Sequence, residues 1–99
     1  MITSTRFFER AAISTMWHWE AIVDTDVIRQ HISTIYINTN KLYSIYPSIS
    51  GTSATLIAVW DNAHALSEYN SDPVLVEYWV RSGEYNAANG ITVGNEVIF

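Results

Sequence analysis

Residues 54–73 read ATLIAVWDNAHALSEYNSDP and hold a strand, a link, a helix and a stop in twenty positions. The run 54–60 is apolar and partly β-branched, the clearest strand pattern in the chain. Asp61 and Asn62 end it and offer side-chain oxygens that can cap a helix. Ala63, Leu66 and Tyr69 then recur at helical spacing. Asn70-Ser71-Asp72-Pro73 breaks this helix and starts another, with Asp72 as cap and Pro73 at the first helical position, where no N–H is needed. Val74, Leu75, Tyr78 and Trp79 continue the apolar stripe, which Gly83 or the stretch 86–90 ends.

The flanks extend this pattern in both directions. Downstream, ITVGNEVIF at 91–99 reads as a last strand, with Gly94 as a bulge. Upstream, KLYSIYPSI at 41–49 alternates loosely and reads as a strand that Pro47 places at a sheet edge. Residues 50–53 (SGTS) make a turn. Before them, Asp24-Thr25-Asp26 opens a helix over 25–38, with Val27, Ile28, His31, Ile32, Ile35 and Tyr36 at helical spacing. AISTMWHWEAIV at 12–23 is rich in aromatic and β-branched residues and reads as a strand apolar on both faces. Residues 1–11 lack strong periodicity. The order is β-α-β-β-α-β. This predicts an α+β, ferredoxin-like antiparallel sheet with helices on one face, in a single domain spanning 1–99.

Composition narrows the function classes. Apolar residues make up 48 % of the 99, and charged residues only 15 %, against a usual ~25 %. Such a chain is not disordered, and the shortage of charge suggests surface buried against a second copy. The five basic residues, Arg6, Arg10, Arg29, Lys41 and Arg81, are scattered, which argues against nucleic-acid binding. No apolar run approaches the ~20 residues of a membrane helix, and no leader-type apolar region follows Arg6 and Arg10. There is no cysteine, hence no disulfide framework and no thiol nucleophile. Cytoplasmic location is the expectation.

The stretch Val59-Trp60-Asp61-Asn62-Ala63-His64-Ala65-Leu66, followed by Tyr69-Asn70-Ser71-Asp72-Pro73, resembles a recurring segment of the dimeric α+β barrel superfamily, which includes the antibiotic-biosynthesis-monooxygenase-like proteins. The resemblance covers about fifteen residues directly, and the element order extends it to the whole chain. It implies a homodimer whose sheets close into a barrel, with a cavity between sheet and helices in each subunit. Members of the superfamily include cofactor-free oxygenases acting on polycyclic phenols, haem-degrading enzymes, isomerases and proteins without known activity. The haem-degrading pattern has an axial His on the second helix. Here that region holds Val76, Glu77, Tyr78 and Trp79, and His64 lies too early.

Among residues able to carry chemistry, His18 and Glu20 stand two apart on the expected strand 12–23. They would therefore point the same way, about 7 Å apart. A carboxylate beside an imidazole can fix its tautomer and raise its basicity, so His18 could act as general base with Glu20 as its partner. A buried polar pair is the structural alternative. His31 on an apolar stripe and His64 after a helix start are read as structural. No H-x₃-H or H-E-x-x-H spacing marks a metal site, and no Gly-rich phosphate loop occurs. No cofactor is implied. The four Trp and six Tyr are mostly core. Some could line an apolar pocket with polar tips. Met16, His18, Tyr46, Trp60, Tyr78 and Trp79 are the candidate lining. The leading expectation is binding of a small apolar molecule, aromatic or fatty-acyl-like, by a homodimer. The alternatives are a cofactor-independent monooxygenase or isomerase using His18, and an interaction protein without ligand.

Overall fold

Ile2–Glu9, at the N-terminus, form strand β1, and here the structure departs most from the sequence reading. The computed structural model describes residues 1–99. Strand β1 is central. It pairs antiparallel with β3 (Ser53–Trp60) from Ile2 opposite Trp60 to Glu9 opposite Ser53. On its other side run two short strands, β4 (Thr92–Val93) and β5 (Val97–Ile98). Strand β2 (Leu42–Ser50) pairs only with β3 and forms an edge, as Pro47 requires. Gly51 turns the chain between β2 and β3 at φ +59°, a conformation suited to a residue without Cβ. The sheet order is β2-β3-β1-β4, with β5 also on β1. The architecture is thus α+β with a five-stranded antiparallel sheet, and the order β-α-β-β-α-β holds.

The strand expected at 12–23 is instead a loop closing in one helical turn, α1 (His18–Ala21). Its position in the sheet belongs to β1, whose main chain is paired along its whole length. The β-like composition of 12–23 has another cause. Trp17 is buried with Phe8, Ala54 and Ile91, with Trp19 packed alongside. The Trp17 and Trp19 rings stack at 5.3 Å and 11°. Arg10 clamps the loop. Its guanidinium donates to the carbonyls of Thr15 and Gly51 and lies 4.3 Å over the Trp17 ring.

The expected helices form. Helix α2 (Thr25–Ile32) continues as a wider π-type turn, Ser33–Ile37. Asn62 caps α3 (Ala63–Ser71), its Oδ1 accepting from the Ala65 N–H at 2.9 Å. Asp72 caps α4 (Pro73–Ala88), with Pro73 in the first turn. Helices α2, α3 and α4 bury Ile28, Ile32, Leu66, Tyr69, Leu75 and Tyr78 against Ala58 and Trp60 of β3. The Trp60 indole N–H donates to the Ser4 hydroxyl at 2.9 Å, so the two central strands are also joined through side chains. The last strand is interrupted at 94–96, where the Gly94 N–H bonds the Phe7 carbonyl at 2.8 Å.

Candidate functional site

Directly opposed residues share a sheet face. The register therefore puts Ile2, Ser4, Arg6 and Phe8 of β1 on the same face as Trp60, Leu56, Ala58 and Ala54 of β3. This face meets the helices, but it is not filled to the end. Two cavities lie under the helices. One, of about 300 Å³, reaches the broken β4–β5 edge and is walled by Ser4, Arg6, Trp60, Ser82, Asn86 and Glu96, among others. The other, of about 270 Å³, reaches the β2 edge and is walled by His18, Trp19, Ile28, Ile32, Tyr46 and Tyr78, among others. Ile45, Leu56, Tyr69 and Trp79 line both, so the two adjoin across these side chains. Each is near ~300 Å³, the lower bound of ordinary ligand sites.

His18 is only 2 % exposed. Its ring is surrounded by aromatic rings, with centroids at 4.9 Å (Trp19), 5.5 Å (Phe8), 5.6 Å (Trp79) and 6.0 Å (Tyr78). Its Nδ1 has no hydrogen-bond partner. Burial without a counter-charge disfavours the imidazolium and pushes the pKa down to about 4. The side chain is therefore neutral at pH 7. Tyr69 is neutral as well, because burial drives its phenol pKa upward. Burial also raises Tyr78, whose hydroxyl meets that of Thr25 at 3.0 Å. At the mouth of the first cavity, Arg6 donates to the Gly94 carbonyl at 3.1 Å and lies 4.0 Å from Glu96.

Of the residues singled out from sequence, His18, Tyr46, Tyr78 and Trp79 come together on the second cavity, and Trp60 joins Trp79 on the first. Met16 and Glu20 stand apart from both. Met16 is half exposed, and its carbonyl accepts from the Tyr85 hydroxyl. Glu20 does not face His18. It is exposed and reaches back to the Trp17 N–H at 3.3 Å. Their pairing depended on strand geometry at 12–23 and is corrected with it. His31 bonds Asp72 at 2.7 Å, and Tyr36 donates to the same carboxylate at 2.8 Å. That network ties α2 to the α3–α4 junction. His64 is largely exposed and sits 2.9 Å from Glu68. No three His, Asp or Glu side chains cluster closely enough to hold a metal ion. The sequence reading missed Arg6, Tyr69, Ser82, Asn86 and Glu96. The sequence pattern places Tyr69 only on a helical stripe, and the other four carry no motif.

No family model matches the sequence, and no curated protein matches it. Solved structures do match in shape. SnoaB of Streptomyces nogalater, a cofactor-independent oxygenase, superposes with a TM-score of 0.61 at 14 % identity, over 99 % of this chain and 89 % of that one. Rv0793 of Mycobacterium tuberculosis gives 0.60 at 15 %, over 100 % and 93 %. A ferredoxin-fold protein of Listeria monocytogenes related to antibiotic biosynthesis monooxygenases gives 0.57 at 17 %, over 98 % of this chain and 53 % of that one. This chain has the antibiotic-biosynthesis-monooxygenase-like fold. The cavities of this chain lie on the helix side of the sheet, and the other face is left open. Here that open face carries Phe7, Val97 and Phe99, all exposed. At these identities the likeness concerns the fold, and chemistry has to be argued from the site. No helix is long and apolar enough to cross a membrane.

Proposed function

We propose that the chain acts in the cytoplasm as a homodimer that binds a small, largely apolar molecule, aromatic or fatty-acyl-like, in the cavity between sheet and helices. The observation that carries this reading is the second cavity, an apolar and aromatic space with one desolvated, neutral imidazole in its wall. Rings and aliphatic side chains supply the affinity for an apolar body. Neutral His18 can donate or accept a hydrogen bond without burying a charge, and so fixes orientation. The apolar, uncovered sheet face supports pairing with a second copy, since apolar patches of this kind mark interaction surfaces.

Native mass spectrometry followed by denaturing extraction tests both halves. The expected result is a dimer mass with a small molecule attached, and a thermal upshift with apolar acids or phenols. A monomer at micromolar concentration overturns the pairing. An empty protein whose melting temperature moves with no member of such a panel overturns the binding.

A second reading is catalysis, supported by the likeness to SnoaB, a cofactor-independent oxygenase. In it His18 takes a proton from a phenol or enol. With a conjugate-acid pKa of about 4 against about 10 for a phenol, that transfer is uphill by about 8 kcal/mol. Catalysis of this kind therefore needs the bound substrate to raise the basicity of His18. Loss of turnover in His18→Ala with an intact dimer is the result expected of this reading.

A further inference from the structure

Helix α2 and its π-type continuation present one stripe to the His18 cavity: Thr25, Ile28, Arg29, Ile32, Ser33 and Ile37. The spacing sets it, since helical positions three and four apart share a face. Five members are aliphatic or carry a hydroxyl, and Arg29 is the exception. It is the one permanently charged side chain among the fifteen residues lining the cavity, and no carboxylate stands among them. The whole chain has ten acidic residues and five basic ones, so this wall reverses the overall balance of charge. The Arg29 side chain is 59 % exposed, which keeps its charge hydrated at the mouth while the residue borders an apolar interior. Its ion-pair partner, Asp26, lies at 3.5 Å with a side chain 92 % exposed. Such an exposed pair holds little, so the guanidinium is free to take a better acceptor. Ser33 and Tyr46 bring hydroxyl groups to the same cavity.

We propose that the His18 cavity takes an apolar carboxylic acid as its anion, with the carboxylate held at the mouth by Arg29 and the hydrocarbon tail inside. The proposal rests on the reading of this cavity as a ligand site and adds the ligand's charge and its direction of entry. A guanidinium fork matches a carboxylate with two parallel hydrogen bonds. The interior cannot take the charged end, because a neutral imidazole among aromatic rings offers no counter-charge. Arg29 therefore holds the charged end, and His18 is left for a neutral polar group further along the molecule. A dry cavity of ~150 Å³ accommodates benzene, and at that occupancy about 270 Å³ holds a chain of roughly ten carbons.

Decanoate and decan-1-ol share a tail and differ in the charge of the headgroup. Each is titrated against the full chain at pH 7, below its aggregation concentration, by the fluorescence of the tryptophans, of which Trp19 and Trp79 line the cavity. The wild-type protein is expected to bind decanoate about fivefold more tightly at low salt, the margin of a charge-assisted over a neutral hydrogen bond at a partly hydrated site. The margin is expected to shrink at about 0.5 M salt, where exposed charges are screened. Arg29→Gln is expected to keep decan-1-ol affinity and lose the preference, and Arg6→Gln, on the other cavity, to leave it unchanged. Both variants are checked for folding by circular dichroism. A preference that survives in folded Arg29→Gln, that salt does not reduce, or that is lost in folded Arg6→Gln overturns the proposal. Equal binding of the two probes by the wild type overturns it and leaves the ligand-site reading standing. Failure of both probes to bind overturns it as well, and the ligand-site reading falls with it only if the panel of apolar acids and phenols also gives no thermal shift.

Discussion

Strand β1 and the segment 12–23 wall two adjoining cavities by opposite means. In β1 the main chain is satisfied by β3 on one side and by β4 and β5 on the other. Its inward side chains are then free to be polar where the wall faces open space, as Ser4 and Arg6 do. Segment 12–23 has almost no ladder. Side chains hold it instead: the Arg10 clamp, the Trp17–Trp19 stack and the Tyr85 hydroxyl on the Met16 carbonyl. Wall chemistry is thus available wherever the backbone is already secured. Where it is not, the side chains must do the securing, and they are apolar and large.

Phe8 joins the two walls, and its removal gives the largest expected effect. It belongs to β1, is 1 % exposed, and its ring lies 5.5 Å from His18 and 5.7 Å from Trp19. Phe8→Ala leaves a cavity at that junction and is expected to cost ~3–5 kcal/mol in urea unfolding. If segment 12–23 is held mainly by Phe8, its amides should also lose hydrogen-exchange protection before those of β3. A cost below ~1 kcal/mol would mean that each wall stands without the other.

The same contrast accounts for what the sequence displays and what it hides. The β3–α3–α4 stretch is legible because caps, Pro73 and the apolar stripe all agree with the fold. Strand β1 is hidden because Ser4 and Arg6 interrupt its inward apolar set, and they do so as parts of the cavity wall. Segment 12–23 misleads in the other direction. Its Trp and Ile content suits a pleated surface, but composition cannot show that Ile2–Glu9 already occupies the central strand. His18, Trp60, Tyr78 and Trp79 were accessible as candidates because aromatic and His residues are few enough to consider singly. Asn86 and Glu96 were not, since nothing local distinguishes a cavity-facing polar residue from a solvent-facing one.

A medium effect probes the wall built by 12–23 through its one titratable interior group. The folded state holds His18 at a pKa of about 4, below its ordinary 6.5. Between these values the unfolded chain binds more protons than the folded one. The stability is therefore complete above pH 6.5 and is lost as the pH falls toward 4. From pH 7 to pH 5 the loss due to His18 is about 2 kcal/mol. Denaturant unfolding across this range should show that slope in the wild type, and His18→Phe should flatten it by that amount. An equal slope in both proteins would mean that His18 is hydrated in solution and that the wall is open to water.

The smallest effect decides which partner His18 has. On a strand, Glu20 would sit beside His18 and stabilise its cation. In α1 the carboxylate instead bonds the Trp17 N–H at 3.3 Å, and the His18 ring has four aromatic rings around it. Glu20→Gln keeps an acceptor for that N–H and removes only the charge. It is therefore expected to change stability by less than about 0.5 kcal/mol, as exposed substitutions usually do. The His18 midpoint, followed by NMR titration of its ring protons, should stay in place. A drop in that midpoint on neutralising Glu20 would mean that the carboxylate reaches the imidazole in solution. Segment 12–23 would then sample an extended form in which the two side chains share a face, and its wall would be a mobile one.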